Sequence, residues 1–170
     1  HKGLRTEQLT DMLKQPDPAA RIEALRALKD RGDAKAASAV LELAKRDHEP
    51  GNVRAQAVLT LAALNENPET FLALTADRVA VVGEEAGRAL IGAKLTADQQ
   101  MAVAIGLKGK NGPDVAARLQ GKSPHANRPE AKNIAAWLKL LDGPADAEAG
   151  RRVFENPKLA GCSKCHQVEG

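Results

Sequence analysis

An internal echo does more than any other feature to limit the folds open to this sequence. Arg21-x-x-Ala24-x-x-x-Leu28 returns 33 positions later as Arg54-x-x-Ala57-x-x-x-Leu61, and a looser third copy falls at Glu85 to Leu90. Steps of three and four place such residues on one side of an α-helix, so each copy marks one amphipathic helix. A stripe repeated at this interval specifies a unit of two helices that buries its apolar face only against its neighbours.

The punctuation between the copies agrees. Asp17-Pro18 and Asn67-Pro68 are cap residues followed by proline at the first helical position, where the missing N–H costs nothing. Thr96-Ala97-Asp98-Gln99 is a capping-box pattern. Arg31-Gly32, Pro50-Gly51, Gly92, Gly109, Gly112-Pro113 and Asp142-Gly143-Pro144 end or separate helical stretches. Between them run apolar stripes, among them Ile22, Leu25 and Leu28; Val40, Leu41 and Leu43; Val53, Ala57, Val58, Leu61 and Leu64; and Val79, Val82, Ala86, Ala89 and Leu90. Met101, Ile105 and Leu107 fall on the next helix, then Val115 and Leu119, then Ile134, Trp137, Leu138 and Leu141. The stretch from Gly121 to Asn127 reads as loop. Aromatics make up only 2% of the 170 residues, so alanine and leucine must fill the core, which suits closely packed helices and not sheets. The expected fold class is all-α. An arginine and an Ala/Leu stripe after Asp-Pro resemble HEAT-type repeats, and the resemblance implies an α-solenoid of antiparallel helix pairs over residues 4 to 141.

The chemistry is concentrated at the other end. Cys162-Ser163-Lys164-Cys165-His166 holds both cysteines of the chain. Two thiols separated by two residues can each add to a vinyl group of one porphyrin, and the next histidine then lies under the ring, where its imidazole can ligate iron. Cys162 and Cys165 are the expected attachment residues for haem c, with His166 as the iron ligand. Three other readings stand beside this one. A zinc site would need a fourth ligand, and His125 lies far back in the sequence. A redox dithiol of the thioredoxin kind would follow a strand. The two cysteines and the histidine could also have come together by chance.

The flanking residues add a resemblance. Ala149-Gly150-Arg151-Arg152-Val153-Phe154, then Pro157-Lys158-Leu159-Ala160-Gly161 and the Cys-x-x-Cys-His motif, looks like the start of a cytochrome c domain. Gly150 would let a later helix cross closely and Phe154 would shield the haem edge, although ordinary helix packing explains both equally well. Helical repeats followed by this run are similar to the layout of large multidomain, membrane-bound dehydrogenase-type cytochrome c proteins of planctomycetes and verrucomicrobia. That resemblance implies a HEAT-like domain at 1–141, a linker at 142–145 and the N-terminal fragment of a haem-binding domain at 146–170. It also implies electron transfer in a larger oxidoreductase, an exported or periplasmic location, and a distal ligand supplied from beyond Gly170. Met12 and Met101 are expected in the core of the repeats and not at iron. The chain begins at His1 and reads as an excised piece of a longer precursor.

Other functions find less support. The net charge of +3 is mild. Lys108, Lys110, Arg118, Lys122 and Arg128 gather near one loop region, which reads as a solvated face. A HEAT-like DNA glycosylase would need aromatics to stack bases, and Trp137 with two phenylalanines supplies few. No nucleic acid is expected as a partner; the expected partners are other domains of the parent chain or a redox protein. No stretch approaches the roughly 18 apolar residues of a membrane span. His48 and His1 read as surface, and Glu84-Glu85 makes no paired-carboxylate arrangement. Catalytic residues are expected to lie outside this segment. A bare interaction scaffold is the main alternative.

Overall fold

A computed structural model of the chain describes residues 3–64, 67–122, 129–156, 162, 165 and 166. Among them every regular element is helical. The order is α1 (Thr6–Met12), α2 (Pro18–Arg31), a 3₁₀ turn (Ala34–Ala36), α3 (Ala37–Lys45), α4 (Gly51–Ala63), α5 (Pro68–Leu74), α6 (Ala80–Ala89), α7 (Ala97–Gly106), α8 (Gly112–Leu119), α9 (Ile134–Leu141) and α10 (Ala147–Glu155).

The cap signals work as their chemistry requires. The Asp17 carboxylate accepts from the backbone N–H groups of Ala19 and Ala20, and Asn67 accepts from Glu69 at 3.0 Å. Thr96 and Gln99 exchange hydrogen bonds in both directions, at 2.9 and 3.2 Å. Gly32 closes α2 in the left-handed region, at φ 66°.

Helices pair in sequence, α1 with α2, α3 with α4, α5 with α6 and α7 with α8. The second members then stack in a row: α2 on α4, α4 on α6, α6 on α8. The repeated stripe is what stacks. Ala24, Leu25 and Leu28 of α2, Ala57, Val58 and Leu61 of α4, and Val82 and Ala86 of α6 with its C-cap Leu90 are all buried in one continuous core. Ala86 and Leu90 take the places of Ala57 and Leu61, which makes the loose third copy a genuine one.

The repeated arginine acquires a reason. Arg21 reaches Glu49 at 2.9 Å, and Arg54 is bound by both oxygens of Asp77 while donating to the Ala44 carbonyl at 2.8 Å. In both units the arginine ties its helix to an acid in the segment that leads to the next second helix.

Two expectations about packing need correction. Met101 is 65% exposed and Ile105 75%, although the periodicity suggested a buried stripe. At about 100° per residue they lie on the side of α7 opposite Val103, and it is Val103 with Leu107 that packs into the core. Met12 does pack against the core. The stripe of α9 forms the expected helix but buries nothing: Ile134, Leu138 and Leu141 are exposed, and the Trp137 indole donates to the Glu130 carbonyl at 3.2 Å. Of the loop expected at Gly121 to Asn127, residues 123–127 lie outside the described residues.

Candidate functional site

Cys162, Cys165 and His166 share one turn of backbone. The N–H groups of Cys165 and His166 both donate to the Cys162 carbonyl, at 3.2 and 2.9 Å. Cys162 is half-buried, Cys165 and His166 are exposed, and both thiols are free. Among the described residues no three His, Cys, Asp or Glu side chains converge to hold a metal ion. Haem attachment does not need such convergence, because the thiols bond to the rim of the macrocycle and only the imidazole meets the metal. The donor set therefore suits a covalently held porphyrin. His125 and His1 lie outside the described residues.

The segment ahead of this turn is fastened to the repeats. Asp146 caps α10 by accepting from Ala149 at 2.9 Å. α10 lies against the stacked second helices, packed on α4. Glu148 accepts from Arg26 of α2 at 2.8 Å, and Glu155 accepts from Lys29 at 2.7 Å. Arg152 is 1% exposed and stands 3.6 Å from Glu85 of α6, which in turn accepts from Arg88 at 2.9 Å.

Burial acts on both members of this inner pair. It pushes the Glu85 carboxyl above its usual range, against the pull of the Arg88 and Arg152 charges, and draws Arg152 below its own. Glu155 moves the other way. Its partial burial favours the neutral acid, but hydrogen bonding and charge from Lys29 together with Arg151 outweigh this and hold it low. The pairing beneath α10 is incomplete. Arg152 Nε and Nη1, Glu85 Oε1 and both side-chain polar atoms of Gln56 have no hydrogen-bond partner.

Sequence reasoning missed this cluster. In the sequence Arg152 stood out only as part of the run that leads to the Cys-x-x-Cys-His motif, and Glu84-Glu85 was set aside because it makes no paired-carboxylate arrangement. Both carboxylates are buried. Glu84 accepts from the backbone and side-chain nitrogens of Asn111, each at 2.9 Å, and so fixes the entry to α8. The available signal was register: Glu23, Gln56 and Glu85 stand one residue before Ala24, Ala57 and Ala86, on the same side of three stacked helices.

The other candidates are placed as follows. Gly150 has open space around it, and half-buried Phe154 borders an open groove of about 350 Å³ on α10. Another cleft, of about 520 Å³, opens between α1, α2 and α10, lined by Leu9, Arg26, Arg31 and Arg151 among others. Its basic groups are matched by Glu23, Asp30 and Glu155. Lys108, Lys110 and Lys122 are exposed and Arg118 is half-buried, while Arg128 lies outside the described residues. His48 is a surface side chain 3.9 Å from Glu49. No described helix is long and apolar enough to cross a membrane.

Antiparallel helix pairs whose second members form a continuous layer define an α-solenoid, a class that serves as scaffold and interaction surface. The sequence model of HEAT repeats matches residues 6–91, half of the chain. The chain belongs to the HEAT-repeat family. No curated protein and no solved structure matches it.

Proposed function

We propose that this chain is a HEAT-repeat scaffold that carries a c-type haem and takes part in electron transfer within a larger oxidoreductase. The observation that carries the reading is Cys162-x-x-Cys165-His166, with its two thiols and imidazole on a single backbone turn. Cys162 and Cys165 hold the macrocycle through thioether bonds and His166 ligates its iron; the group supplies a one-electron carrier. The repeats hold that carrier relative to the rest of the parent chain, and substrate conversion belongs to another domain. An exported or periplasmic location follows from c-type haem maturation, as the resemblance to the multidomain cytochromes implies.

The test is expression of the parent chain in a host with a c-type maturation system. Haem that stays with the polypeptide after acid denaturation is expected, and its loss when Cys162→Ala and Cys165→Ala are combined. His166→Ala should leave the haem attached while changing its absorbance bands. Unmodified thiols in a competent host, or stoichiometric zinc held by these three residues, would overturn the proposal.

A further inference from the structure

We infer that the layer of second helices is a seat for a helix of defined charge order, which α10 fills within the chain and which a partner helix of the same order can take over. The seat has three zones. α2 presents Arg26 and Lys29, α6 presents Glu85, and α4 between them presents Gln56 and Leu59, both buried. α10 answers each zone, with Glu148 on Arg26, Glu155 on Lys29 and Arg152 on Glu85. Acid, base and acid at positions 148, 152 and 155 lie on one side of a helix, and the reverse order would set like charges together.

Two observations make the occupancy exchangeable. α10 has nine residues, and a helix shorter than about 12 residues is marginal in water, so its helicity depends on the seat. Seating it also buries Arg152 with two nitrogens unpaired, above a Glu85 oxygen and a Gln56 amide that are unpaired too. Such a contact holds the helix and leaves part of the desolvation penalty uncompensated. A partner that pairs these atoms better displaces α10. Until then the inner layer is closed to other partners.

The probe is a fluorescent peptide of residues 146–156, locked as a helix through its exposed positions. It is titrated into the unaltered chain and into a variant carrying Glu148→Ala, Arg152→Ala and Glu155→Ala, which empties the seat without changing it. The variant should bind at least about tenfold more tightly, since the internal competitor is gone. A peptide carrying Glu148→Lys, Arg152→Glu and Glu155→Lys should bind at least about tenfold more weakly. Equal affinity for both chains, no binding to either, or equal binding of the reversed peptide overturns the inference. Amide exchange of the unaltered chain gives a check free of variants. α10 should lose protection in molar salt while α4 keeps it, and α10 equally protected at both salt levels contradicts the inference. Neither measurement depends on haem.

Discussion

Arg54 shows what one buried charge does for a repeat. It is 1% exposed, and its guanidinium is shared between the Ala44 carbonyl and the Asp77 carboxylate. Removing it strands a half-buried acid and a buried carbonyl, so Arg54→Ala should cost about 3 kcal/mol in urea unfolding. A loss below about 1 kcal/mol would mean the ion pair is solvated in solution. Asp33 gives the pH counterpart. The Thr6 hydroxyl, then the Lys35 N–H, hold its carboxyl below the usual aspartate range. A carboxylate lowered by folding adds stability above about pH 4, and that stability is lost as pH falls through the folded value. The stability gap between the native chain and Thr6→Val should therefore be full at neutral pH and narrow in acid, as read from urea midpoints. A gap independent of pH would rule out the Thr6–Asp33 bond as its source. The sequence displayed Arg21 and Arg54 as a repeat, because their spacing is local. Their partners Glu49 and Asp77 were hidden, because a contact across a turn leaves no period.

At the scale of elements, caps and stripes were readable and the side each helix buries was less so. Asp17, Asn67 and Thr96 announce helix starts through chemistry confined to a few residues. Burial depends on which neighbour arrives, and so α7 buries Val103 and leaves Met101 outside. Glycine makes the same point. A Cβ on Gly83 would stand 2.7 Å from the Thr75 carbonyl oxygen, a backbone atom that cannot swing aside, whereas one on Gly150 would meet nothing within 4 Å. Alanine ordinarily gains about 0.5–1 kcal/mol over glycine in a helix. Gly150→Ala should show that gain as stronger protection of α10 from amide exchange. Gly83→Ala should instead destabilise by about 1–3 kcal/mol, because α6 must move off the turn that follows α5. If both substitutions stabilise, the α5–α6 contact has room for a methyl group in solution.

Across the whole molecule, a repeat array distributes stability by adjacency, since each unit is held only by those it touches. α4 has neighbours on several sides: α3 as its pair, α2 and α6 in the layer, and α10 across it. Its nine buried residues include Val53, Ala57, Val58 and Leu61, so opening it means opening the core. α9 is the opposite case, an eight-residue helix with no buried residue, and a free helix of that length is marginal in water. Native-state amide exchange should therefore be slowest in α4, intermediate in α1 and α8 at the two ends of the array, and in α9 close to the rate of an unfolded peptide. Urea below the midpoint should release α9 first and α4 only with global unfolding. Protection of α9 equal to that of α4 would show that its Ile134, Leu138 and Leu141 face is covered in solution, and a concentration-dependent mass would then identify a second copy as the cover.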